Sequence, residues 1–129
     1  MATIHKQFKI NAPSDRVWQK MSDLTGVHSL LGMLTNAELY GDTRVCQTQD
    51  GNSLKELIVS VDSKQKRLVY AITESPFSFE FHVASWQAIP DGDSTVFEWY
   101  TDLKPDNLAE TIELIIDGEQ ENIINGLSA

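Results

Sequence analysis

Phe8-Lys9-Ile10-Asn11-Ala12-Pro13-Ser14-Asp15-Arg16-Val17-Trp18 decides how this chain is read. Ile4, Phe8 and Ile10 suggest the buried face of a strand near Thr3–Ile10. Ala12-Pro13 stops that strand. Proline suits a first helical turn because its missing N–H would have no intrahelical partner there, and Asp15 complements the positive end of the helix dipole. Val17, Met21 and Leu24, with Trp18 alongside, make the apolar stripe of the helix that follows, and Gly26 breaks it. Val27, Leu30, Leu31 and Leu34 recur at helical spacing and predict a second short helix over Val27–Leu34.

Beyond this switch the pattern is a long meander. Turn clusters stand at Gly41-Asp42, Asp50-Gly51-Asn52, Ser63–Lys66, Ser75-Pro76 and Pro90–Asp93. They separate strands expected near Ala37–Tyr40, Thr43–Gln49, Ser53–Val61, Arg67–Thr73, Phe77–Ile89 and Thr95–Leu103, which with strand one make seven. A final helix follows Lys104-Pro105, with Asn107 and Glu110 spaced as a capping box. Leu108, Ile112, Ile115, Ile116, Ile123 and Leu127 form its apolar stripe. Gly118 interrupts it at a cost of about 1 kcal/mol relative to Ala, which predicts a kink or a close approach there.

Composition narrows the function classes. At 129 residues, 41% apolar and 22% charged, the chain reads as one globular domain over 1–129, with core volume enough to enclose a cavity. No apolar run reaches the roughly 18 residues that span a membrane, and Met1–Phe8 lacks the apolar core of a secretory signal. Cys46 has no partner cysteine, so it reads as a small apolar strand residue in a reducing cytoplasm. The net charge of −9 opposes binding to nucleic acid or to an anionic membrane surface. His5, His28 and His82 have no metal-ligand spacing, and no phosphate loop or nucleophile elbow occurs, so neither metal nor cofactor is expected.

Taken in order, several pieces carry a family resemblance: Ile10–Trp18, Asp23-Leu24, Gly41–Arg44, Asp50-Gly51, Glu56-Leu57, Tyr70–Ile72, Pro90–Trp99 and a terminal helix ending Gly126-Leu127. Together they resemble the START-like superfamily, also called SRPBCC, which includes polyketide cyclase/dehydrase-like proteins and the birch-pollen allergen type. The resemblance covers nearly the whole chain. It implies an α+β helix-grip fold: a seven-stranded antiparallel curved sheet around a long C-terminal helix, with two short helices between strands one and two. It also implies a hydrophobic ligand held between sheet and helix. Where many relatives carry Trp-Pro-type residues after the first helix, this chain has Val27–Leu31, so ligand identity does not transfer.

The residues that can carry chemistry concentrate in the hairpin Phe77–Leu103. A two-residue turn at Asp91-Gly92 would set Trp86 opposite Phe97, Ala84 opposite Trp99 and His82 opposite Thr101. One face then carries Glu80, His82, Trp86, Phe97 and Trp99; the other carries Phe79, Phe81, Val83, Glu98 and Tyr100. Large apolar residues on both faces leave open which one meets the cavity, and a second apolar surface of this kind is a homodimer signal. His82 with Glu80 is the candidate acid–base pair, against the more ordinary reading of a satisfied strand histidine. Arg44 and Glu56 are expected to pair across the Asp50–Asn52 turn, either inward in low dielectric or outward in water. Tyr70 offers a hydroxyl to the same cavity, His28 a rim position, and Ile112 and Ile116 the helix's share of the wall.

The leading expectation is binding of a hydrophobic small molecule, a lipid, polyketide or similar, in that cavity. A cyclase- or dehydratase-like enzyme using a cavity His or Glu is one alternative. Another is an interaction module that uses the acidic face of the last helix or the outer aromatic face.

Overall fold

The computed structural model describes residues 1–129. Strand β1 (Ala2–Ile10) leads into helix α1 (Ser14–Met21) and a 3-10 segment (Leu24–Ser29). Six strands follow: β2 (Leu34–Tyr40), β3 (Thr43–Thr48), β4 (Ser53–Asp62), β5 (Arg67–Glu74), β6 (Phe81–Asp91) and β7 (Ser94–Lys104). A short 3-10 turn (Asp106–Leu108) then opens into helix α2 (Ala109–Ser128). The seven strands form one antiparallel sheet in the order β1-β7-β6-β5-β4-β3-β2. This is the helix-grip arrangement, a curved sheet with α2 across its concave face.

Alternation explains which residues meet that helix. Ile4, Phe8 and Ile10 of β1, Ala84, Trp86 and Ala88 of β6 and Phe97, Trp99 and Leu103 of β7 are all buried. They join Ile112, Ile116, Ile123 and Leu127 of α2 in one core. At the opening switch the Pro13 carbonyl accepts from Arg16 and Val17, each at 3.1 Å, so Pro13 caps α1 from outside rather than sitting in its first turn. The Thr95 hydroxyl donates to the Ala12 carbonyl at 2.7 Å, pinning the strand end to β7. Trp18 is half-buried against the core.

Four local expectations are corrected. The β6–β7 turn consists of Gly92-Asp93, not Asp91-Gly92, so Trp86 pairs with Trp99, Ala84 with Thr101 and His82 with Leu103. Gly92 at φ 61° occupies the first turn position, where the type II′ turn places glycine; Gly41-Asp42 closes the β2–β3 hairpin with the same dipeptide, Gly41 also at φ 61°. The two-residue shift leaves every strand side chain on its expected face. The second helix is the 3-10 segment Leu24–Ser29, and Leu34 belongs to β2. No side chain caps α2, because Asn107 lies within the 3-10 turn and Leu108 takes the position before the helix. Gly118 neither breaks α2 nor admits a neighbour: a Cβ there would meet nothing within 4 Å.

Candidate functional site

Strand β6 begins at Phe81, so Phe77–Glu80 is connection rather than strand. Released from strand alternation, Phe77 and Phe79 turn under the sheet with ring centroids 5.8 Å apart. They help to close one end of a cavity of about 80 Å³ between the concave face and α2. Glu56, Tyr70, His82, Trp99 and Thr101 reach it from the sheet, and Ile112, Ile115, Ile116 and Glu119 from the helix. A second recess of about 450 Å³ lies beside it, bounded by Thr48–Asp50 and Pro76. Both volumes share Met33, Leu54, Phe77 and Ile115, which places the recess at the cavity's mouth.

The polar wall is built around a buried ion pair. Arg44 and Glu56 face each other across β3 and β4, and Arg44 Nε donates to Glu56 Oε1 at 2.7 Å. Both are buried, so the pair points inward. Arg44 Nη1 donates to the Leu24 carbonyl at 3.1 Å, and its guanidinium lies 5.5 Å from the Tyr70 ring centre. The Cys46 thiol donates to the same Glu56 oxygen at 3.5 Å. Burial, with the Glu56 charge adding to it, pushes that thiol up to about 12 and leaves it protonated and inert. Burial also drives the Tyr70 hydroxyl well above its ordinary value.

His82 is fixed by its neighbour across the irregular end of the β5–β6 ladder. The Ile72 N–H donates to His82 Nδ1 at 3.0 Å, so the ring proton of the neutral form sits on Nε2. Burial lowers this imidazole to about 4, keeping it uncharged at neutral pH. Glu119 is the one acid on the buried stripe of α2. Its carboxylate accepts from the N–H groups of Gly32 (2.6 Å) and Met33 (3.2 Å), tying the helix to the segment before β2. No cluster of three His, Cys, Asp or Glu is placed to hold a metal ion.

Among the residues singled out from the sequence, Glu56, Tyr70, His82, Trp99, Ile112 and Ile116 line the cavity. Arg44 stands behind Glu56. Trp86 and Phe97 are enclosed in the core beside the cavity, their ring centroids 5.5 Å apart, and do not line it. His28 is exposed on the 3-10 segment, and Glu80 is exposed outside the strand, so no His82–Glu80 pair is assembled. Phe79, expected beside Phe81, lines the cavity, while Phe81 and Tyr100 remain 45% and 40% exposed on the outer face. Glu119 does not belong to the acidic outer face expected of the last helix: it is buried between Ile116 and Ile123, and its spacing from those two is the signal that marks it. Phe77 and Met33 lie in irregular segments, where periodicity carries no orientation.

A family model described as "Polyketide cyclase / dehydrase and lipid transport" matches residues 1–127. The chain belongs to this family. Solved structures share the polyketide cyclase/dehydrase-family fold over almost the full chain. An uncharacterised protein of Bacillus thuringiensis superposes with a TM-score of 0.89 at 16% identity, covering 98% of each chain. The Zhui aromatase/cyclase of Streptomyces sp. R1128 gives 0.76 at 15% identity, covering 98% of this chain and 90% of that one. Norcoclaurine synthase of Thalictrum flavum gives 0.75 at 21% identity, covering 98% and 91%. These likenesses establish the fold. Comparison with the curated proteins finds no match. No helix is long and apolar enough to cross a membrane.

Proposed function

We propose that this protein binds a hydrophobic small molecule between the concave sheet and α2. The observation that carries the reading is the cavity itself, mainly apolar, with Glu56, Tyr70, His82 and Trp99 grouped on its sheet wall. An apolar chamber with few polar groups holds a ligand by area and orients it by hydrogen bonds. The family description, with its lipid transport, agrees. A catalytic role through His82 has less support, because Nδ1 is already occupied by the Ile72 N–H and no carboxylate partners the ring. The lone, protonated Cys46 fits a reducing compartment, and we place the protein in the cytoplasm.

Native mass spectrometry of the purified protein, before and after organic extraction, tests the reading directly. A co-purifying small molecule lost on extraction is expected. A panel of lipids, sterols and polyaromatics should then include compounds that raise the melting temperature of the extracted protein. No bound molecule and no thermal shift across the panel would refute the proposal.

A further inference from the structure

We infer that the cavity selects a neutral, hydroxyl-bearing apolar molecule, such as a medium-chain alcohol, and rejects the corresponding carboxylate. The inference rests on the small-molecule reading above and specifies the chemistry of that site.

Two groups on the cavity wall define the head of the ligand. Two buried indole N–H groups, of Trp86 and Trp99, have no hydrogen-bond partner, and of the two only Trp99, 6% exposed, lines the cavity where a ligand can reach it. A buried donor left unpaired is costly, so an acceptor atom belongs opposite it. Glu56 presents the complementary need. Both of its hydrogen bonds end on Oε1, leaving Oε2 to accept from a ligand. A hydroxyl is donor and acceptor at once and can serve either group.

Charge decides against an acid. Two carboxylates, Glu56 and Glu119, line the chamber. The one guanidinium nearby, Arg44, is committed to Glu56 and to the Leu24 carbonyl. Glu119 is neutralised by no cation; backbone N–H groups hold it. His82, lowered to about 4 by burial, brings no positive charge at neutral pH. A ligand carboxylate would therefore lose its water beside Glu119, which no cation offsets, and beside an Arg44–Glu56 pair that has no positive charge to spare. The net charge of −9 opposes its approach as well.

Size decides the shape. The chamber of about 80 Å³ takes a polar head and a few carbons, and the adjoining recess of about 450 Å³ takes the remainder past Met33, Phe77 and Ile115. The ligand is elongated, with its head inward.

Isothermal titration at neutral pH with octan-1-ol, 1-methoxyheptane and octanoate separates the possibilities. Octan-1-ol should bind about tenfold or more tighter than octanoate. It should bind about fivefold tighter than 1-methoxyheptane, which accepts but cannot donate. Trp99→Phe, which keeps a ring and removes the N–H, should weaken octan-1-ol about fivefold. Glu119→Gln should strengthen octanoate about threefold or more. The wild-type series stands alone if a variant does not fold. Octanoate binding as tightly as octan-1-ol overturns the selectivity and leaves the binding reading intact. Failure of all three compounds to bind, in a protein that also shows no shift with the wider panel, overturns both.

Discussion

Replacing Arg44 by methionine keeps most of its volume and strands the Glu56 carboxylate in an apolar chamber. Removing one partner of a buried pair costs about 3–5 kcal/mol, so urea unfolding of Arg44→Met should show a loss of that size. Adding Glu56→Gln should recover part of it, since the stranded charge goes. A single-variant loss below about 1 kcal/mol would mean that the pair does not hold this wall. His82 gives the second prediction at this scale. Its folded value of about 4 lies below the 6.5 of a free imidazole, so between those values the unfolded chain binds the extra proton. The stabilisation is therefore complete above about pH 6.5 and is lost as pH falls towards 4, amounting to about 3 kcal/mol over the whole window. Other groups titrate there too, so the measurement is the difference between wild type and His82→Phe. The variant should lack this part of the acid slope; parallel stability–pH curves would contradict it. Pairing of Arg44 with Glu56 was visible in the sequence, but its direction was not. Alternation assigns residues to opposite faces without saying which face the last helix will cover.

At the scale of elements, the two glycines of α2 make a matched test. Gly118 has no neighbour within 4 Å of a Cβ, so Gly118→Ala should stabilise by about 1 kcal/mol through helix propensity alone. At Gly126 a Cβ would lie 2.7 Å from Leu30 Cδ2 and 3.4 Å from the Ser29 carbonyl oxygen. Gly126→Ala must displace the buried Leu30, and thermal unfolding should place it about 1 kcal/mol or more below Gly118→Ala. Equal effects would remove the packing argument for Gly126. Element order and type were readable because alternation, turn residues and one helical stripe agree along the chain. The β6–β7 register differs by two residues from the one Asp91-Gly92 predicts, because Asp-Gly and Gly-Asp both occur in Asp91-Gly92-Asp93 and suit two-residue turns of types I′ and II′ respectively. Phe77–Glu80 mimics a strand in its alternation of Phe77 and Phe79 with polar residues. Its backbone instead follows a local bond from Phe79 N–H to the Phe77 carbonyl.

For the whole molecule, charge is the broadest lever. A net −9 on 129 residues repels itself in the folded state. Exposed pairs such as Lys55–Glu74 (3.4 Å) return little. Raising sodium chloride from about 20 mM to about 500 mM should therefore stabilise the protein by about 1 kcal/mol, or roughly 3 °C in Tm. A fall in Tm with salt would show that ion pairs outweigh the repulsion.

The sheet order has a consequence in time. β1 lies beside β7, and Thr3 donates to Asp102 across 99 residues of chain. Every other neighbouring pair of strands is consecutive in sequence. Closing the first strand onto the last costs the loop entropy of nearly the whole polypeptide, whereas the hairpins of β2 to β7 close locally. During synthesis, β1 leaves the ribosome first and waits unpaired until β7 follows it. The Ile4–Phe8–Ile10 face is thus the stretch a nascent chain leaves uncovered longest.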